Sequence, residues 1–503
     1  MSDTATEDRS AQSEEADPRR WKALSVALTA GFMSLLDVSI VSVALPSIQR
    51  ALGTDAAGIQ WVVSGYALTF GLALVPAGRL GDAFGRRRLF MLALSGFVLF
   101  SALAGAAPST GWLIAARLCQ GLAAGAMAPQ NSALIQQLFS GAERGRAFGF
   151  FGATVGLSTA IGPVTGGVIL ALAGEQAGWR WIFLVNVPIG VVALVLAYRL
   201  LPRGGGSGKR AEIDYLGGAL VGAGVLAVML PLVLAEAGGL ARLWWLFPVG
   251  AGLLAAFVAW EYRMTRRGRE PLLNIKLLTG TAGYGTGAAL GMAYFVGFSG
   301  IWLVFALFFQ AGLGYTPLQS GLVVTSFALG SAASSVIGGR LVERFGRALT
   351  VTGLTMVVVG LATTALVIRL TPPESTGVAV IAPLLVAGIG GGWVISPNTT
   401  MTLRRVPVGM AGSAGGALQT GQRIGAAIGT SALPGTFYAV LATNGRDFKA
   451  AAATAIGIAA LTVCVALSIG IVEWRRARHR AAGVGAPDPG APDSGHHHYG
   501  DPH

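Results

Sequence analysis

The sequence predicts an all-α polytopic membrane protein of fourteen spans, built as two pseudo-symmetric six-helix bundles with two extra spans between them. Three observations carry this. Hydrophobic residues fill 53% of the 503 positions against 12% charged, with a mean hydropathy of +0.63, which is far more apolar surface than one soluble core could hide. Apolar runs of about 20 residues, the length that crosses a hydrocarbon core, follow one another along the whole chain. Finally, the segment Gly78-Arg79-Leu80-Gly81-Asp82-Ala83-Phe84-Gly85-Arg86 returns as Gly339-Arg340-Leu341-Val342-Glu343-Arg344-Phe345-Gly346-Arg347, each copy after an apolar run. Repeats of this kind mark two copies of one membrane unit.

Residues 1–21 are polar and charged, with no apolar core or small-residue cleavage site, and are expected to form a disordered cytoplasmic tail. The first bundle is predicted over 22–201, with spans at approximately 23–47, 58–78, 89–107, 112–137, 147–173 and 181–201. A Gly/Ser/Lys/Arg linker at 202–214 leads to the additional pair at approximately 215–236 and 243–262. After a basic loop at 263–284, the second bundle is predicted over 285–472, with spans at approximately 285–311, 318–339, 349–369, 378–400, 412–441 and 450–472. Residues 473–503 are expected to be a disordered tail. Basic residues concentrate in alternate loops, Arg86–Arg88, Arg144, Lys209, Arg266 and Arg344 among them, which places those loops and both termini in the cytoplasm. About eight spans separate the two repeats, an even number that puts both on this face.

Several function classes are excluded. A net charge of +13 suits nucleic acid, but the basic residues lie scattered in short loops, so membrane orientation explains them and no nucleic-acid partner is expected. Cys119 and Cys464 sit inside apolar runs as packing residues. All five histidines lie at 479 and beyond, which leaves no intramembrane base for the Gly297-Phe298-Ser299-Gly300 segment and no haem or zinc ligands. Gly208-Lys209 is followed by Arg210 and lacks the upstream glycine of a phosphate loop. No metal, cofactor or enzymatic chemistry is expected.

The candidate site residues are the polar groups that a bilayer penalises. An Asp at the centre of a span costs about 2.5–3.5 kcal/mol, and Asp37 is the sole carboxylate deep in any predicted span, which makes it a candidate reversible proton carrier. Arg117 in the fourth span stays protonated and is expected to assist it, or else to snorkel to the interface. Arg423 lies deeper in the thirteenth span, with no evident partner. In the fifth span Gly149, Gly162, Pro163, Gly166 and Gly167 are spaced for close helix packing with a hinge. The repeated motif, Gly78, Asp82, Gly85 and Arg86 with Gly339, Glu343, Gly346 and Arg347, suits a salt-bridge latch between the halves. Trp61, Tyr66, Phe183, Asn186, Phe309, Gln310, Asn398 and Arg423 are candidate cavity-lining residues for an aromatic or amphipathic ligand.

These motifs together resemble the major facilitator superfamily, specifically its fourteen-span drug:proton antiporter branch, over roughly residues 20–475. The family's loop motif matches Gly78, Asp82, Gly85 and Arg86, and its fourth-span motif matches Arg117, Gln120 and Gly121. Its antiporter motif matches Gly149, Gly162, Pro163, Gly166 and Gly167, with Ser158 in place of an expected glycine. The first-span motif matches Leu36-Asp37 and Val43-Ala44-Leu45-Pro46, and Trp179-Arg180-Trp181-Ile182-Phe183 with Asn186 and Pro188 is similar to the family's start of span six. The resemblance implies a multi-pass protein of the cytoplasmic membrane, functional as a monomer. It implies proton-driven export of amphipathic drugs by alternating access, conferring antibiotic resistance or self-resistance in a producer. Asp37 would carry the proton, Arg117 would assist, and Asp82 with Arg86 would gate the cytoplasmic side. A proton-coupled importer or metabolite facilitator on the same fold is the alternative.

Overall fold

The computed structural model describes residues 19–174, 177–202, 214–235, 238–269 and 271–484. The predicted tail at 1–18, most of the linker (203–213) and residues 485–503 lie outside them. The described residues are helical throughout, joined by short turns. In order the helices are α1 (Arg20–Leu52), α2 (Ala56–Phe84), α3 (Arg86–Gly105), α4 (Thr110–Leu138), α5 (Gly141–Ala173), α6 (Gly178–Leu184), α7 (Asn186–Leu200), α8 (Tyr215–Val233) and α9 (Gly239–Leu243). They continue with α10 (Leu246–Arg266), α11 (Lys276–Gly280), α12 (Tyr284–Ala306), α13 (Pro317–Phe345), α14 (Arg347–Leu370), α15 (Pro373–Ala379), α16 (Ile381–Leu403), α17 (Ala411–Thr443) and α18 (Phe448–Val484).

Each of the fourteen predicted spans falls on a long helix or on a pair of consecutive helices. Among the described residues, eleven segments are long and apolar enough to cross a bilayer, and bent α5 makes a twelfth. The other two are α4, which carries Arg117, Gln120, Gln130, Asn131 and Gln136 inward, and α10, which carries Glu261 and Arg263. Outward-facing side chains such as Leu92 (70% exposed) and Leu172 (84%) belong to a lipid-facing surface. Helix α18 runs through Glu473 to Val484, past the predicted end of the last span. The extension is held where Arg347 donates to Glu473 at 2.8 Å and the Arg478 guanidinium lies 5.2 Å from the Trp474 ring.

Two lobes result. In the first, α1 packs on α5, α7 and α4, and α4 packs on α2 and α3; in the second, α12 packs on α17 and α18, and α16 on α13 and α14. The lobes meet along two seams, α5 on α13 and α2 on α17. The additional pair α8 and α10 pack on each other, and α8 also lies against α2 and α17. Caps fix where helices begin: Asp55 accepts from the Gly58 amide at 2.8 Å, Asp214 from the Gly217 amide at 2.8 Å, and Thr316 with Gln319 forms a reciprocal capping box.

Candidate functional site

The repeated motif resolves into three jobs. Its eighth residue, Gly85 or Gly346, links two consecutive helices at φ 102° or 53°, a left-handed region that favours glycine. The next residue opens the following helix, and its guanidinium bonds polar groups of its own lobe. Arg86 bonds Asp82 at 2.9 Å and the Ala133 carbonyl at 3.4 Å, while Arg347 bonds Asn398 at 2.6 Å and Glu473 at 2.8 Å. The first residue, Gly78 or Gly339, is where the backbones of opposite lobes touch. A methyl at Gly78 would stand 2.7 Å from the Gly412 carbonyl carbon, and one at Gly339 would stand 2.7 Å from the Gly149 Cα.

The acid of the motif is where the expected latch needs correction. The Asp82–Arg86 ion pair lies within one lobe and does not bridge the two. What crosses the seam is the Asp82 carboxylate itself, accepting from the Gly412 amide at 3.0 Å, the Ser413 amide at 2.8 Å and the Ser413 hydroxyl at 3.0 Å. These are free donors of the first turn of α17, where the helix dipole favours an anion. Arg86 adds a bond to the Val408 carbonyl just before that helix. The second copy has no such bond: Glu343 is exposed and makes no hydrogen bond or ion pair among the described residues. The seam is therefore closed on the face that carries the motif. Along α5 the glycines from Gly145 to Gly156 come close to Gly339, Ser335, Ala332 and Ala328.

Beyond that point α5 turns to α1. A methyl at Gly162 would meet Ser39 Cβ at 2.6 Å, and one at Gly166 would meet the Ile40 carbonyl oxygen at 3.1 Å. Ser39 donates to the Ser158 carbonyl at 3.0 Å, so the serine that replaces the family glycine sits at this crossing. Gly167 departs from the expected packing role, since nothing lies within 4 Å of a methyl there. The side chain of Pro163 is outside the described residues, while its backbone continues the α5 helix.

Asp37 and Arg117 meet. Arg117 is 1% exposed, not snorkelling, and donates to the Asp37 carboxylate, which is fully buried. Its Nε reaches the Val62 carbonyl at 3.1 Å, Nη1 also bonds Gln120 Oε1 at 2.9 Å, and its Cζ lies 4.1 Å from the Tyr66 ring centre and 5.6 Å from that of Phe183. Asp37 accepts two more bonds, from Gln120 Nε2 at 3.0 Å and Asn186 Nδ2 at 3.1 Å. Three chain regions are brought together by identifiable contacts. The Gly121 position leaves no room for a side chain, which lets α4 lie on the α2 backbone at Tyr66. Arg180 donates to the Gly105 and Ala107 carbonyls at 3.0 and 2.8 Å, and Ser101 donates to the Phe183 carbonyl at 2.9 Å, so α6 is tied to the end of α3. The α6–α7 break then aims Asn186, itself bonded to Ser101 at 3.1 Å, at Asp37.

Of the cavity candidates, Tyr66, Phe183 and Asn186 thus form the wall of the carboxylate site. Trp61 packs on the core beside α8. Asn398 is not cavity-lining: it is buried between Arg347 and the Gly287 carbonyl. Phe309 is likewise a core residue, stacked 5.5 Å from Tyr315, and Gln310 is exposed at the end of that helical segment. Arg423 rests on the opposite lobe, its Cζ 4.1 Å from the Phe70 ring centre. Gln120, Ser101, Gly412 and Ser413 were not singled out as site residues, although Gln120 belongs to the matched fourth-span motif. The glycine-rich start of α17 was the available signal for the other seam partner.

The sequence profile of the Major Facilitator Superfamily matches residues 27–430 and 287–492. The chain belongs to this superfamily. It is 36% identical over 428 residues to the probable actinorhodin transporter of Streptomyces coelicolor, covering 85% of this chain and 74% of that one. It is 36% identical over 474 residues to the puromycin resistance protein pur8 of Streptomyces alboniger, covering 92% and 91%. Among solved structures, the proton:xylose symporter XylE superposes with a TM-score of 0.63 at 15% identity, covering 89% of this chain and 95% of that one, a likeness of fold. This facilitator protein is therefore a multi-pass membrane transporter and not an enzyme, with Asp37–Arg117 buried inside its first lobe.

Proposed function

We propose that the chain is a proton-driven antiporter that exports amphipathic drugs or antibiotics across the cytoplasmic membrane by alternating access. The observation that carries this is the buried Asp37 site: one carboxylate, held by one guanidinium and two side-chain amides, inside one of two lobes that are bonded together at the motif face. The relatives named for actinorhodin transport and puromycin resistance support a drug as cargo. With both termini and the motif face cytoplasmic, this conformation is closed on the cytoplasmic side. Protonation of Asp37 removes the counter-charge of Arg117, which is then retained by Val62, Gln120 and the Tyr66 ring, contacts it already makes. Reopening toward the cytoplasm requires Asp82 to leave the α17 N-terminus and deprotonation of Asp37 to reset the site.

Proton influx supplies the work. A potential of 100 mV is worth about 2.3 kcal/mol per charge moved, in addition to the pH gradient. Compensation of charge argues against divalent cargo, because Asp37 is already committed to Arg117 while Arg423 adds a further positive charge. Neutral, singly cationic or weakly anionic amphiphiles are carried in preference to bis-quaternary ones. The test is flux in everted vesicles containing the full chain. Drug-dependent proton release, and export abolished by an uncoupler with ATP intact, support the reading. Export that survives the uncoupler, or drug accumulation in the direction of proton flow, overturns it.

A further inference from the structure

Arg423 is a strongly basic group of the lobe interface that the proton site does not use. It lies near the middle of α17, flanked by Gln419 and Gln422. Among the described residues no carboxylate pairs with it. A guanidinium cannot shed its proton to escape burial, so an unpaired one inside a bilayer is retained at a cost of several kcal/mol unless something offsets it.

What offsets it here is aromatic. The face of Phe70, from the opposite lobe, lies 4.1 Å from the Arg423 carbon, and Phe70 in turn adjoins Tyr66 with ring centres 6.1 Å apart. Tyr66 is anchored by donating to the Ser34 carbonyl at 3.0 Å and carries Arg117 on its ring. The two arginines differ in one respect. Arg117 has a ring and a carboxylate, whereas Arg423 has a ring only. A ring quadrupole lowers the cost of burying a cation without neutralising it, so the whole unit charge of Arg423 remains for a ligand. The guanidinium is also partly accessible, while Arg117 is sealed. The Gln422 amide, next in sequence, turns toward Gly291 of α12, and Gln419 is committed to the Ala128 carbonyl at 3.4 Å and the Ser132 hydroxyl at 3.2 Å.

We infer that Arg423, seated on Phe70, is the binding group for a single anionic substituent, a carboxylate or an acidic phenol, on the substrate. The planar guanidinium takes a carboxylate through two parallel N–H bonds, with the Phe70 ring already covering one of its faces. This rests on the export reading but is separable from it, since it concerns binding. It narrows the cargo from amphiphiles at large to those that bring one negative charge to a site holding one uncompensated positive charge.

The experiment uses the purified full chain in phosphatidylcholine vesicles free of anionic lipid. Three fluorescent probes are compared: anthracene-9-carboxylate, its uncharged methyl ester, and the cation ethidium. The wild type should bind the carboxylate at least about tenfold more tightly than the ester. Arg423→Gln should erase that preference and leave ester and ethidium binding within about twofold of wild type, and Arg423→Lys should restore part of it by returning the charge without the planar fork. Equal wild-type affinity for carboxylate and ester, a comparison that needs no variant, overturns the inference. So does an Arg423→Gln protein that loses all three probes alike, which would make the residue structural. Displacement of the carboxylate by added phosphatidylglycerol, at ratios where it leaves ethidium bound, would assign the site to a lipid headgroup and likewise overturn it. If the carboxylate preference holds but no probe moves when a pH gradient is imposed, the export reading fails and the anion site stands.

Discussion

Gly78→Ala should unlock the closed face. The added methyl would lie 2.7 Å from the Gly412 carbonyl carbon and 3.0 Å from the Ser413 amide nitrogen, both backbone atoms. Ordinary contact needs about 3.5 Å, so the two helices must part by roughly 1 Å. Overpacking of this size costs about 1–3 kcal/mol. The strain exists only while α2 and α17 are in contact, so it disfavours the closed face alone, which corresponds to about a 5- to 150-fold shift in the open–closed equilibrium. The assay is the rate at which a membrane-impermeant maleimide, added on the motif face, labels Ser132→Cys in a background with Cys119 and Cys464 replaced by alanine. Ser132 is buried at the seam and accepts from Gln419 of the other lobe. Labelling should accelerate by a factor in the range above. As control, Gly252→Ala adds the same methyl where nothing lies within 4 Å. Unchanged labelling in Gly78→Ala, or an equal acceleration in the control, would refute the reasoning.

Asp37→Asn should insert in the membrane yet abolish drug-dependent proton release, and it should lower stability by about 3–5 kcal/mol because Arg117 is left buried without its counter-ion. Adding Arg117→Gln should recover much of the thermal midpoint without restoring transport, and normal proton release from Asp37→Asn vesicles would contradict the proton role. In span five, Gly162→Leu and Gly166→Leu should block transport while Gly167→Leu is tolerated, since the first two face α1 and the third faces open space. Equal effects at all three in a flux assay would show that the contact pattern is incidental. Glu473→Gln should cost about 3 kcal/mol in thermal or denaturant unfolding by stranding the buried Arg347 guanidinium, whereas Glu343→Gln, at an exposed position, should cost little.

The succession of long apolar helices was legible because apolar length is a property of contiguous residues, and the bilayer makes it obligatory. Asp37 and Arg117 were legible for the converse reason: each breaks a span that would otherwise be apolar. Their pairing was not, because the two stand 80 positions apart in sequence and it takes the glycine contact at Gly121 to bring α4 onto α2. Asn398 and Phe309 looked like cavity residues because polarity or aromaticity inside a span carries no information about which way the side chain turns. The latch was misjudged for a related reason. An acid that recurs beside arginines in both copies invites an ion pair, but its partners across the seam include main-chain amides, which nearly every residue has.

The helix pair inserted between the bundles makes the two seams unequal. Helix α8 touches both α2 and α17, with the Val233 carbonyl taking bonds from Gln60 and Ser64 at 3.2 and 3.3 Å and Met229 Sδ 2.9 Å from where a methyl on Gly71 would stand. On that side, whatever gap forms when the lobes part is walled by protein. Among the described residues the α5–α13 side has no such cover, and Leu172, Leu322 and Leu329 on it are exposed. Among the described residues, the inserted pair thus makes one seam a three-helix contact and leaves the other a contact of two.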